Sequence, residues 1–420
     1  MASLPIMTIL EGSQVSPPPA TVGDTSLPLT FFDIMFLLRP PIHFLLFYEL
    51  PLNKTHFTQT IVPNIKHSLS LTLQHFFPYA GNLIVYPART QNPKICYVQG
   101  DSVNVTFAEC SLDFSDLTGY HPRNCDKFYH LIPLLGHCAR ISDYVKIPVF
   151  SLQVTLFPSH VVQSFLANGT LPLYKRVIKY PELDEKILKL VKVESLNEID
   201  YQPPKLLGPT DKVRATFVLT RTFINQLKTW ISTQLPTLPH VSSVTVACAY
   251  IWRCIAKSRN DELQLFAIPI DCRTRMDPPI PAAYFGNCIS ACTVIAKTTA
   301  LTGKYGLVTA AKLIGANLHK MLAHDVGIMK EKHPIEDLFS KTMPKTIISI
   351  SGTPKFKFYD MDFGWGKPKK LEKISLDYGA NISIEAGRKD HQDLEIGVCL
   401  TATQMQVFVH VFNRGLEPFI

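Results

Sequence analysis

The sequence predicts an α/β fold in two domains, on three observations. Its 420 residues exceed the roughly 250–300 at which a single core stops growing, so two domains of about 200 residues each are expected. Strand and helix periodicities interleave in both halves, which is the pattern of mixed layers. Hydrophobic residues make up 46% and charged residues 18%, enough apolar surface to fill two cores and too much for extensive disorder.

In the first half, the run Phe44 to Leu50 alternates like a strand, and Phe57 to Phe77 carries Ile61, Ile65, Leu69, Leu73 and Phe76 on one helical stripe. Short strands are expected at Leu83 to Tyr86, Val103 to Phe107 and Val149 to Phe157. Residues 201–212 are rich in proline around Pro203, Pro204 and Pro209 and read as a linker, which sets the domains at 1–200 and 213–420. In the second half, Ala215 to Leu219 reads as a strand and Val244 to Ala256 as a buried helix. Val308, Ala311, Ile314, Leu318 and Met321 form one face of an amphipathic helix. Ile382 to Glu385 and Glu395 to Leu400 suggest a strand pair before a final helix, Thr403 to Phe412.

Composition narrows the function. The longest apolar stretch, Phe31 to Leu50, is broken by Asp33, Arg39, Pro40, Pro41 and His43, so no transmembrane segment is expected. Met1 to Pro19 lacks the basic and apolar regions of a signal peptide. Ten cysteines without CxxC pairs suit free thiols, a reducing cytoplasmic setting and no metal site. The net charge of +8 could attract polyanions, but the densest basic run, Lys367, Lys369 and Lys370 with Lys373, is short and reads as a solvated face. Repeats, RNA-binding signatures and zinc fingers are lacking, so no nucleic-acid partner is expected. A GxSxG elbow, a P-loop and a Rossmann GxGxxG are also absent.

The chemistry-bearing words lie elsewhere. Asp362–Phe363–Gly364–Trp365–Gly366 matches the DFGWG signature of the BAHD acyl-CoA-dependent acyltransferases. It is accompanied by Leu27 to Asp33, Pro78 to Leu83 and Leu394 to Gly397. Asp271 to Arg275, Tyr284 to Cys288 and Tyr120 to Asn124 resemble the branch that malonylates anthocyanins and phenolic glucosides in plants. The resemblance covers almost the whole chain. It implies a two-domain, chloramphenicol-acetyltransferase-like fold and a monomer that takes malonyl-CoA as co-substrate, a glycosylated phenolic acceptor and no bound cofactor. It places Arg273, Tyr284, Phe285, Gly286 and Asn287 along the acyl-CoA channel. It makes Asp362, Phe363, Gly364, Trp365 and Gly366 architectural, with glycine turns, a packed Trp365 and an ion pair for Asp362.

The resemblance also implies a histidine, in an HxxxD motif between the domains, that takes the proton from the acceptor hydroxyl as it attacks the thioester; an imidazole titrates near neutral pH and suits that task. An arginine matching Arg273 would hold the motif's aspartate. Here the motif is missing. After Leu152 to Phe157 the chain turns at Pro158–Ser159–His160 and runs through Val161, Val162 and Gln163 into Ser164 to Gly169, which resembles sequence well beyond the motif. A strand, a helix and their connections, about 25–35 residues, are absent, so the first domain is shortened near 160–165. Among 14 histidines only His333 has an aspartate, Asp337, four positions on, and 20 aspartates in 420 residues make about 0.7 such matches by chance. His160 reads as a turn residue. No catalytic residue is therefore assigned, and the alternative to an active enzyme is a relative that lacks its base. Two structural expectations follow: an unpaired edge on the Leu152 to Phe157 strand, and an Arg273 without its carboxylate.

Overall fold

The computed structural model describes residues 5–136, 138–157, 160–162, 171–191, 208–238, 241–323, 347–378 and 382–416. Residues 201–207 of the expected linker, and the His333 to Asp337 match, lie outside them.

The first half is built on a six-stranded mixed sheet ordered Met7–Val15, Val103–Cys110, Ser151–Phe157, His160–Val162, Phe44–Tyr48 and Lys370–Lys373. Alternation decides its faces. In Val103–Cys110 the buried side chains of Val103, Val105 and Phe107 pack under the Val62–His75 helix, whose Ile65, Leu69 and Leu73 supply the other side of that core. Asn53 begins the helical run by accepting the His56 N–H on its side chain. A five-stranded antiparallel sheet flanks this core, ordered Thr25–Pro28, Lys94–Tyr97, Asn82–Val85, Tyr144–Pro148 and Ala139–Ile141.

The expected bare edge is covered. Thr155, Leu156 and Phe157 pair antiparallel with Val162, Val161 and His160, and Val161 and Val162 pair in turn with Tyr48 and Phe47. Three residues thus bridge two longer strands, and Val154, Leu156 and Phe157 of the neighbouring strand are buried. Val161 and Val162 are β-branched, a residue type that suits a strand.

The second half holds a seven-stranded sheet ordered Ile289–Lys297, Leu263–Asp271, Ile347–Ser351, Ile382–Ala386, Leu394–Thr401, Lys212–Leu219 and Arg123–Asn124. The Ser243–Lys257 helix is buried on nearly every face, as its sequence suggests, with Ser242 capping Thr245 N–H. It packs between the sheet and the Gly306–Ala323, Arg221–Gln234 and Ala402–Leu416 helices.

The halves exchange strands. Lys370–Lys373 completes the first sheet beside Phe44–Tyr48, and Arg123–Asn124 completes the second beside Lys212–Leu219. Buried charges hold this crossing. Glu372 forms an ion pair with Arg123 at 2.8 Å and accepts Arg214 at 3.2 Å; Arg214 also reaches Asp377 at 2.6 Å. Lys370 meets Glu395 at 3.5 Å, and Lys373 meets Glu385 at 2.5 Å. Four cations face four carboxylates, all nearly sealed from water, which is the arrangement in which buried charge is tolerated. The reading of the lysine run as a solvated face is thus corrected for Lys370 and Lys373. Lys367 and Lys369 do stay near the surface, paired with Asp360 and Glu49.

Candidate functional site

The loop that leaves the Leu263–Asp271 strand carries the sequence-predicted channel residues. It closes on itself through Cys272 N–H to the Cys288 carbonyl at 2.8 Å and Ile280 N–H to the Arg273 carbonyl at 2.8 Å. Its apolar side chains, Cys272, Met276, Ile280, Tyr284 and Cys288, do not cross an open surface. They are buried against Leu29, Phe31, Val85, Ile178 and Leu188 of the first half. Interdigitation of this kind fixes the loop to the junction of the two halves.

Polar contacts then set its register. Asp33 Oδ1 accepts the backbone N–H of Asn287 at 2.9 Å and its amide at 3.1 Å, while Asp33 Oδ2 caps the Phe31–Ile34 turn through Thr30 N–H. Leu173 exchanges backbone bonds with Ala283 and Phe285. Arg176 Nη1 donates to the Phe285 carbonyl at 2.5 Å and lies within 3.2 Å of the Tyr284 hydroxyl, with its guanidinium over the Tyr284 ring. Gly286 sits between these groups with φ +155°. A Cβ there would stand 2.7 Å from Arg176 Nη1 and 2.7 Å from Tyr284 Cε1, so only glycine fits.

Arg273 does not stand without a carboxylate. Its Nη1 meets Asp271 Oδ1 at 3.2 Å, and its Nη2 donates to the Gly286 carbonyl at 3.0 Å, leaving a buried Nε–H unmatched. The neighbouring aspartate two residues back in the chain replaces the expected partner. Phe285 completes an aromatic cluster with Tyr79 at 5.6 Å and Tyr174 at 5.2 Å, so this junction is walled by rings from both halves. Burial pushes the Cys272 thiol up to about 12 and Cys288 up to about 11, and neither is a thiolate nucleophile near neutral pH.

The DFGWG segment lies apart from this loop. Asp362 is exposed and makes no ion pair among the described residues; its Oδ1 accepts the backbone N–H groups of Gly364, Trp365 and Gly366 at 2.8, 3.0 and 2.9 Å. Gly364 and Gly366 have φ of +84° and +81°, the left-handed conformations that point three N–H groups at one oxygen. Trp365 packs edge-on to Tyr48 at 6.0 Å, as its anchoring role requires, and Phe363 packs on the same ring.

Two features were not read from the sequence. A cavity of about 830 Å³ is lined by Lys257, Arg259, Asp261, Glu262, Lys297 and Thr298. It lies at the start of the Leu263–Asp271 strand, about 30 Å from the Arg273 end at 3.3 Å per residue, so the two are not one site. His43, which precedes the Phe44–Tyr48 strand, has an imidazole whose pKa is lowered by burial and whose Nδ1 has no partner among the described residues. A lone histidine in an apolar run gives no sequence signal for either property. Among the described residues no helix is long and apolar enough to cross a membrane. The ten cysteines are free thiols.

Known proteins resemble this chain along its whole length. The profile of the Transferase family matches residues 7–163 and 167–414. The malonyl-coenzyme A:anthocyanin 3-O-glucoside-6''-O-malonyltransferase of Dahlia pinnata is 47% identical over 464 aligned positions spanning 100% of each chain. Those 464 positions exceed the 420 residues here by 44. Phenolic glucoside malonyltransferase 1 of Nicotiana tabacum is 35% identical, over 98% of this chain and 99% of its own. The fold superimposes on vinorine synthase with a TM-score of 0.64 at 18% identity, covering 96% of both chains. It also superimposes on F. sporotrichioides TRI101, solved with Coenzyme A and T-2, with a TM-score of 0.57 at 15% identity, covering 92% and 97%.

Proposed function

The chain belongs to the Transferase family, the BAHD acyltransferases, and from that premise we propose that it moves a malonyl group from malonyl-CoA to a sugar hydroxyl of a phenolic or anthocyanin glucoside. The observation that carries this reading is the 47% identity to a malonyltransferase along the full length of both chains. The Arg273 to Asn287 loop, seated at the junction of the halves, is the acyl-CoA channel in this reading. Tyr284 and Arg176 shape its wall, and Asp33 holds Asn287 in place. Its contacts are backbone and guanidinium groups, the donors that phosphates and carboxylates accept, and none depends on the missing motif.

In the reaction the acceptor oxygen attacks the thioester carbonyl, its proton leaves to a base, and the CoA thiolate departs. The junction supplies binding and water exclusion. No histidine fills the HxxxD place, so the proton passes to a weaker acceptor, and turnover is at least roughly 100-fold below that of a relative containing the motif. In this reading the protein works as a cytoplasmic monomer, and its domains are 1–200 and 213–420 apart from the exchanged strands Lys370–Lys373 and Arg123–Asn124.

Calorimetric titration with malonyl-CoA tests the channel. Saturable heat that is lost in Arg273→Ala and kept in Lys127→Ala is expected. Absence of heat at about millimolar ligand would refute the channel assignment, because arginine and backbone donors are intact.

A further inference from the structure

Cys125, Asp377 and Cys399 converge from three separate segments onto one buried point. Cys125 follows the Arg123–Asn124 strand and is pinned by its N–H to the Lys212 carbonyl at 3.1 Å; Cys399 sits in the Leu394–Thr401 strand, opposite Arg214; Asp377 sits in the Ile374–Tyr378 turn. Their exposures are 0%, 2% and 3%. Their two sulfurs and a carboxylate oxygen lie within 4.8 Å of one another. We propose that these three residues form a structural binding site for a divalent d10 cation, zinc in particular, which ties the first half of the chain to the second.

Four observations carry this. The Sγ atoms are 3.5 Å apart, and two sulfurs each about 2.3 Å from a tetrahedral zinc stand roughly 3.8 Å apart, so small movements admit the ion. Asp377 Oδ2 is buried with no hydrogen-bond partner among the described residues, although such an oxygen is costly to leave unsatisfied. Its other oxygen accepts Arg214 Nη2 at 2.6 Å, and the backbone carbonyl of Asp377 accepts Lys212 Nζ at 2.8 Å. These are the outer contacts that orient a ligating carboxylate. Charge closes as well. The surrounding cations and carboxylates are already balanced, and a divalent ion that displaces one proton from each thiol leaves the total unchanged, whereas a monovalent ion would add a net negative charge. Sulfur ligands favour zinc over magnesium or calcium.

The site is sealed from water, so it fills as the chain folds and serves structure, not catalysis. This inference does not depend on the proposed function. The test is to express the full chain in zinc-supplemented medium, remove loose metal by desalting, and measure zinc by mass spectrometry and X-ray absorption. About one zinc per chain with sulfur neighbours near 2.3 Å is expected, falling at least tenfold in Cys125→Ser and Cys399→Ser while Cys110→Ser retains it. Should the serine variants fail to fold, the absorption spectrum of the unaltered chain decides alone. Less than a tenth of an equivalent of zinc, a zinc shell without sulfur, or a Cys125–Cys399 disulfide in the intact mass would overturn the proposal.

Discussion

Replacing Glu372 with glutamine removes one charge from the centre of the strand exchange and changes almost nothing in volume. In the folded protein Glu372 is sealed from water, with Arg123 on one oxygen and Arg214 on the other. Burial raises its pKa, but Arg123, Lys370 and Arg214 outweigh burial, and the carboxyl titrates below its ordinary range. Breaking a buried ion pair by removing one partner costs about 3–5 kcal/mol, because the remaining charge is neither paired nor solvated. At 2–4 °C per kcal/mol for domains of this size, Glu372→Gln should lower the thermal midpoint by roughly 6–20 °C. Lys127→Ala, which removes a half-exposed partner of Asp116, should cost no more than about 1 kcal/mol. Sign follows direction: a carboxylate with a depressed folded pKa stabilises above its unfolded pKa, and that stability is lost as pH falls through the folded value. The acid side of the stability profile should therefore flatten in the variant. Scanning calorimetry across pH reads both effects. A midpoint shift below about 2 °C would show that Arg123 and Arg214 are satisfied without Glu372 and would refute the account of the crossing.

Other expectations are more local. Glu385 is raised to about 7, chiefly by burial, so it stabilises the fold at low pH and loses that contribution as pH rises from about 4.5 through 7; Glu385→Gln should remove this slope in a stability–pH series. Gly286→Ala should displace Arg176 and strain the loop by about 1–3 kcal/mol. It should weaken malonyl-CoA binding by calorimetry more than it lowers the midpoint, and equal affinity would remove Gly286 from the channel wall. Asp362→Ala frees three backbone N–H groups beside Trp365, and a red shift in tryptophan emission with little loss of fold is expected.

The sequence was most readable where periodicity and burial coincide. The stripe from Ile61 to Leu73 and the all-round apolar run of the Ser243–Lys257 helix appear as expected, because each has one way to hide its apolar surface. The Arg273 to Asn287 loop is held at the junction because its ends are hydrogen-bonded to each other and its apolar side chains anchor it. Less visible was anything that depends on pairing distant residues. Lys370 and Lys373 look like surface lysines until Glu395 and Glu385 are brought beside them from another strand. The Asp362 ion pair implied by the resemblance is not seen among the described residues, because its carboxylate takes three backbone N–H groups that converge only once Gly364 and Gly366 turn left-handed. The edge expected beside Phe157 failed for a similar reason: Val161 and Val162 are too few to show strand periodicity, yet they fit between two strands already in place.

The proposed reaction is malonyl transfer from malonyl-CoA by a chain in which no histidine fills the HxxxD place. It is tested by turnover with malonyl-CoA and an anthocyanidin glucoside, followed by mass spectrometry, beside a version with an HxxxD-containing segment inserted after Val162. A malonyl ester on a sugar hydroxyl is expected from both proteins, with kcat/KM at least roughly 100-fold higher when the segment is present. No ester above the enzyme-free control from either protein would contradict the assigned reaction. Rates within tenfold of one another would contradict the missing base, and His43→Ala and His160→Ala would then identify the group that replaces it.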